Sequence, residues 1–181
     1  MTMFVDIPPF TSKKIMSISL DQAHEKILAI CQAIDIYSLR YGRLVNWYEG
    51  LSWHYGIGLT DDLIFDTGGL SIFSRHPDDF FVVPDVQIFS PQQTIERLFY
   101  SIICFKNWDY GLLGWNCEHI ARLIATDSAV SYEIKKLPFP IPQFNHDGWH
   151  PNAKEILNDF INQNQYLIDD LLLGFNNQKL L

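Results

Sequence analysis

The sequence predicts an α+β fold in which a mainly antiparallel sheet packs against helices. Three observations carry that expectation. Apolar residues recur at helical spacing in four separate stretches, over 20–37, from Pro91 to about Cys104, over 117–125 and beyond Pro151. Between 43 and 83 the pattern changes to short β-rich runs broken by polar and glycine turns. The 181 residues are 48% hydrophobic and 19% charged, enough apolar surface for one core without metal or disulfide staples.

Taken in order, residues 1–18 read as an extended lead-in, because Pro8-Pro9 block an early helix. Ser19 stands three residues before Gln22, the spacing of a capping box, and Ile27, Ile30, Cys31 and Ile34 form one stripe of the helix that follows. Cys31 falls within the stripe and reads as a packing thiol. Residues 43–48, 53–59, 63–66, 70–73 and 80–83 are strand candidates. Ser90 and Pro91 supply an N-cap and a first-turn proline for a helix burying Ile95, Leu98, Phe99 and Ile102. Residues 107–115 read as a loop carrying two glycines. Asn116 caps the next helix, whose apolar face holds Ile120, Leu123 and Ile124. Residues 132–134 read as one more strand and 137–142, with three prolines, as a linker. The last helix offers Ile156, Phe160, Tyr166, Leu167 and Leu171 for burial. The chain is expected to divide into an N-terminal extension and helix (1–41), a central part (42–136) and a linker with C-terminal helix (137–181).

A turn at 60–62 sets a register in which paired residues sum to 122. Gly56 then opposes Asp66, and His54 lies diagonally from Asp66 on the same face. Tyr55, Ile57, Leu59, Leu63 and Phe65 occupy the other face and are expected inside. Gly56 and Gly58 leave the His54 face bare, so another backbone or a substrate can approach it. A His diagonal to a carboxylate is the arrangement that fixes an imidazole tautomer. Cys117 falls in the first turn of its helix, where partial positive charge and unpaired N–H groups lower a thiol's pKa and can hold an oxyanion. Together these residues make a nucleophile-and-base constellation, set against the plainer reading of a buried structural cysteine and a half-exposed strand histidine.

The run Asn116-Cys117-Glu118-His119, preceded by Tyr110-Gly-Leu-Leu-Gly-Trp, resembles the Asn-Cys-Glu-His signature of the lecithin–retinol acyltransferase-like family. His54-Tyr55-Gly56-Ile57 is similar to that family's first catalytic strand, and Gly42-Arg43-Leu44-Val45 to the strand before it. The helix with Glu96-Arg97 falls where the family has one. The likeness covers about 42–136. It implies a permuted papain-like fold, shared with NlpC-type cell-wall peptidases, with extra helices at both ends of this chain. It also implies an acyl chain taken from a glycerophospholipid onto Cys117 as a thioester, with His54 as base, and passed to water, an amine or an alcohol. Asn116, Glu118 and His119 belong to the signature as supporting residues. His119 reads as a structural hydrogen-bonding residue, since two positions along a helix turn it away from Cys117. The family's second histidine corresponds to Asp66. An Asp there can orient His54 and favour a thiolate–imidazolium pair, while narrowing the likeness in substrate range.

Thirteen basic and 21 acidic side chains give a net charge of −8, against a nucleic-acid partner and against electrostatic docking on anionic membrane. Three cysteines, Cys31, Cys104 and Cys117, cannot all pair, so no disulfide framework is expected. With no signal-like or membrane-spanning run, a cytoplasmic location is expected, with peripheral membrane contact open. A phospholipid or other acyl donor is the expected partner, and no cofactor or metal is implied. His146, Asp147 and His150 beside the proline-rich stretch read as a solvated loop, and His24, His76 and Cys104 have no evident partners. Asp61-Asp62 and Asp169-Asp170 are expected to face solvent. Trp47, Tyr48, Trp53, Trp108 and Trp115 offer either an apolar platform or ordinary packing. Two other readings stay open: a peptide or amide hydrolase of the same superfamily, and a binding module that has lost catalysis.

Overall fold

The computed structural model describes residues 14–15, 17–50, 52–84, 87–111, 115–136 and 152–169. Its elements run β1 (Lys14–Ile15), α1 (Leu20–Ala33), β2 (Leu44–Glu49), β3 (Ser52–Gly58), β4 (Leu63–Asp66), β5 (Ser71–Ser74), a 3-10 turn (Pro77–Asp79) and β6 (Phe81–Val82). Then follow α2 (Pro91–Cys104), β7 (Asp109–Tyr110), α3 (Cys117–Thr126), α4 (Tyr132–Lys135) and α5 (Ala153–Gln163). Five strands form one antiparallel sheet in the order β5-β4-β3-β2-β6, and β1 pairs with β7 apart from it. The α+β class stands. No helix among the described residues is long and apolar enough to cross a membrane.

The β3–β4 hairpin takes the expected register, pairing Gly56 with Asp66, Ile57 with Phe65 and Gly58 with Ile64. Tyr55, Ile57, Leu59 and Phe65 face α1, α2 and α3 in the main core, while Leu63 is only partly buried against it. The helix caps also match. Ser19 and Gln22 form a full capping box, as do Ser90 and Gln93 behind Pro91. On α2, Ile95, Leu98, Phe99 and Ile102 are all buried. Arg97 crosses from α2 to the far end of α3, where it donates to the carbonyls of Leu123 and Ile124 and to Asp127.

At the glycine face it is another backbone, of the two expected visitors, that approaches. A side chain at Gly58 would strike the carbonyl of Arg40, and Val45, Trp47, Ile64 and Phe80 close over the same side as a second small core. It is the chain's own backbone that uses the space. Other expectations are corrected. Helix α1 stops at Ala33, because Asp35 N–H is drawn to the Leu59 carbonyl and its carboxylate accepts from Tyr37 N–H. Residues 132–134 are helical, since Ser131 Oγ accepts from Ile134 N–H and starts a turn. The loop before Cys117 contains a strand, β7. On the last helix the buried residues are Ala153 and Leu157, with Ile168 beyond it, while Ile156 and Tyr166 are exposed. Phe160 and Leu167 pack partly against the core, and Leu171 lies outside the described residues. So do the proline-rich stretch, His146, Asp147, His150 and Asp170. Asp61, Asp62 and Asp169 are exposed.

Candidate active site

The site is built around the start of α3. Asn116 Oδ1 accepts from His119 N–H at 3.1 Å, and His119 Nδ1 accepts from Asn116 N–H at 3.4 Å. This is a capping box with histidine in place of the usual Glu or Gln. The His119 ring is fully buried and stacked on Trp115, with centroids 5.9 Å apart. Asn116 and His119 therefore fix where the helix begins, and with it the position of Cys117. Glu118 points the other way. Its Oε1 accepts from Arg122 Nε at 2.8 Å, and its Oε2 from Ser131 Oγ at 2.7 Å and Glu133 N–H at 3.2 Å. Burial would push this carboxyl up, but those donors outweigh it and hold the group below its usual range.

Cys117 is 6% exposed. The β3–β4 ladder ends at Gly56, and the N–H of Tyr55, one residue beyond, acts on the thiol and pulls it down. The phenol of Tyr110, at the end of β7, stands beside Cys117 and lowers its thiol. Thr67 Oγ1 lies 2.9 Å from the carbonyl oxygen of Cys117 and 3.0 Å from that of Tyr55, tying helix to strand. Around Gly68, Tyr110 Oη, Asp66 Oδ1 and Cys117 Cβ converge to within 3.0–3.2 Å of one point.

The electrostatics overturn the expected thiolate. Burial pushes the Cys117 thiol up to about 11, and the nearby Asp66 and Glu118 carboxylates add to it. The Tyr55 N–H and the Tyr110 hydroxyl pull the other way without winning. At neutral pH the group rests as a thiol. Burial also raises Asp66, against the N–H groups of Gly68 and Gly69, which donate to its two oxygens at 2.8 Å each.

His54 stands next to Tyr55 but projects from the opposite face of β3. Its ring stacks on Trp47, with centroids 5.6 Å apart and planes 19° from parallel, and its Nε2 lies 3.4 Å from Ser52 Oγ. No hydrogen bond to Cys117 Sγ is among its contacts with the described residues. The structure thus brings Cys117 and Asp66 together and seats His54 on the other face of β3, against Trp47. Sequence reasoning missed Tyr110 and Thr67. Tyr110 stands seven residues before Cys117 in the run that carries the family likeness, so a signal for it existed; none pointed to Thr67.

Among the described residues, no group of three or more His, Cys, Asp or Glu side chains is placed to hold a metal ion. All three cysteines are free, with Cys31 and Cys104 half-buried. Set beside family models, curated proteins and solved structures, the chain matches none of them.

Proposed function

We propose that this protein is a cysteine-dependent acyltransferase or acyl hydrolase of the lecithin–retinol acyltransferase-like type, on a permuted papain-like fold. The observation that supports it best is the seat of Cys117, whose Sγ lies at a helix N-terminus between the Tyr55 N–H and the Tyr110 hydroxyl. A thiol resting protonated needs a base. His54, turning from its seat over Trp47, takes the Sγ proton as Sγ attacks the acyl carbonyl carbon. The carbonyl oxygen gains the electron pair, and the Cys117 N–H and Tyr110 hydroxyl are placed to receive it. The C–O or C–N bond to the leaving group breaks, and His54 returns the proton to that alcohol or amine. Water or an acceptor alcohol then cleaves the thioester by the same steps in reverse. Asp66, with lone pairs left beyond its two backbone bonds, favours the imidazolium formed on the way. Three free thiols agree with a reducing, cytoplasmic setting.

A second reading draws on the thiol pushed up to about 11 and on the seating of His54 over Trp47. Both favour a binding module that keeps the fold without turnover. Incubation with phospholipid vesicles and intact-mass analysis separates the two. The enzyme reading expects an acyl adduct on the wild type that hydroxylamine removes and that Cys117→Ala lacks. No adduct, together with no alkylation of Cys117 by iodoacetamide at neutral pH, sinks it in favour of the binding module.

A further inference from the structure

Residues 67–70, Thr-Gly-Gly-Leu, turn from β4 into β5 and run past the start of α3. The first of them is fixed. Thr67 is fully buried, with its Oγ1 2.9 Å from the Cys117 carbonyl oxygen and 3.0 Å from that of Tyr55. Gly68 then lies against the cysteine side chain. A Cβ there would stand 3.2 Å from Cys117 Cβ, 3.2 Å from Asp66 Oδ1 and 3.0 Å from Tyr110 Oη, and one on Gly69 would stand 2.6 Å from Asp66 Oδ2. Both glycines serve close approach, since Asp66 accepts from their N–H groups at 2.8 Å each.

The backbone strain falls one residue later. Leu70 has φ +48, a left-handed conformation that leucine rarely adopts. Such a conformation persists only where its surroundings hold it. Here the Lys26 ammonium donates to the Leu70 carbonyl at 2.6 Å, across 44 positions of sequence. Lys26 is placed for this by the docking of α1, whose Ala23, Ile27 and Ile30 are fully buried while Lys26 stands at the edge of their stripe. A lysine head ordinarily stays in water. This one is partly buried, and its charge-assisted bond ties α1 to the turn.

We infer that Lys26 is a positioning residue for Cys117: from α1 it latches the 67–70 turn down on the thiol, and the turn lifts from its Leu70 end to admit an acyl donor. The donor rests on reading Cys117 as the thiol that takes the acyl group, whereas the latch does not. An ester carbonyl needs a clear approach to Sγ, and Cys117 is only 6% exposed. The two ends of the turn decide which of them moves. Thr67 sits in the buried seam between β3 and α3, while Leu70 is only partly buried and is held against its own strain. The closed turn also fixes Asp66 beside the thiol, because the same two glycines bind its oxygens. Helix α1 lies outside the 42–136 stretch that carries the family likeness, so the latch makes the N-terminal helix part of the working site.

Iodoacetamide labelling of Cys117 in the full-length protein, read by peptide mass at neutral pH over a series of low urea concentrations, tests the latch without asking for turnover. Losing a hydrogen bond from a charged donor favours the opened turn, so Lys26→Met is expected to label Cys117 about tenfold faster than the wild type. The gain should be flat at low urea, because a local opening exposes little surface, whereas labelling through global unfolding climbs with urea. Cys104, half-buried at the end of α2, is the internal control and keeps its rate. Lys26→Arg, whose guanidinium can donate to the same carbonyl, should bring the Cys117 rate back to within about twofold of the wild type. An unchanged Cys117 rate in Lys26→Met, a gain that climbs from the lowest urea concentration, or no rescue by arginine overturns the inference. If Lys26→Met does not fold, amide exchange in the wild type decides. The Gly68 and Gly69 N–H groups are expected to exchange through a local opening, and exchange only through global unfolding overturns the latch. A latch upheld with no thioester from any acyl donor would retain the cover over Cys117 and reject the acyl-transfer reading.

Discussion

The hydroxyl of Tyr110 stands beside Cys117: Tyr110 Oη and Cys117 Cβ lie 3.0 and 3.2 Å from the point where a side chain on Gly68 would begin. That phenol lowers the thiol's pKa against the larger effect of burial. Tyr110→Phe therefore shifts the pH at which iodoacetamide alkylates Cys117 upward. It should also slow thioester formation by about 10²-fold, the cost of one lost oxyanion donor. An alkylation profile that stays put would mean that the phenol does not act on the thiol.

Alkali should destabilise the fold through the same thiol. An unfolded cysteine titrates near ~8.5. In the folded chain burial pushes Cys117 up to about 11 and Cys104 up to about 12. The folded state holds the proton more tightly, so this stability is fully present below about pH 8.5 and is lost as pH rises through the folded value. For Cys117 the loss amounts to about 3 kcal/mol. Melting temperature is expected to be level from pH 7 to 8.5 and to fall beyond it, less steeply in Cys117→Ala. An equal slope in that variant would assign the whole effect to other groups.

What the sequence made legible follows from how local each determinant is. The β3–β4 register depends on a turn and an alternation within fourteen residues, 53–66, and it appears as read, down to Gly56 opposite Asp66. The caps at Ser19, Ser90 and Asn116 depend on three residues each. The misreadings sit where a distant group decides. Residues 132–134 have strand-like composition, but Glu118 draws Ser131 and the N–H of Glu133 into a turn. Cys117 has the helix-start position that lowers a thiol's pKa, yet burial against Tyr55, Gly68 and Tyr110 outweighs it. His54 faces its expected side of the strand, where Trp47 on the neighbouring β2 captures the ring.

Three glycines should respond differently to alanine, because three different things surround them. At Gly58 a Cβ would collide with the Arg40 carbonyl, a backbone atom that cannot swing aside, so Gly58→Ala should cost about 2 kcal/mol or more. Gly50 has open space but φ +66, so alanine there should cost about 1 kcal/mol from conformation alone. Gly111 has neither restriction, and Gly111→Ala should change stability by less than about 0.5 kcal/mol. Urea unfolding of the three variants gives the order. Gly58→Ala proving as mild as Gly111→Ala would mean that residue 40 does not lie against the sheet.

Arg97 anchors the helix that carries the nucleophile, at the end away from it. Its guanidinium is largely buried and donates to the Leu123 and Ile124 carbonyls, to Asp127 Oδ1 at 2.9 Å and to Asn158 Oδ1 at 2.9 Å. Arg97→Met removes every one of those bonds and leaves two helix-end carbonyls without this donor. Asp127 keeps the Lys154 ammonium at 2.8 Å and is only partly orphaned. Breaking a buried pair by deleting one partner costs about 3–5 kcal/mol, and the surviving Lys154 contact places the expectation near the lower end, about 3 kcal/mol. Arg97→Lys should recover only part, since one ammonium cannot span the carbonyls and both side-chain acceptors that the planar fork reaches. Urea unfolding at pH 7 measures both variants. A loss under about 1 kcal/mol in Arg97→Met would show that the end of α3 is held by its apolar face alone, through Leu123 and Ile124.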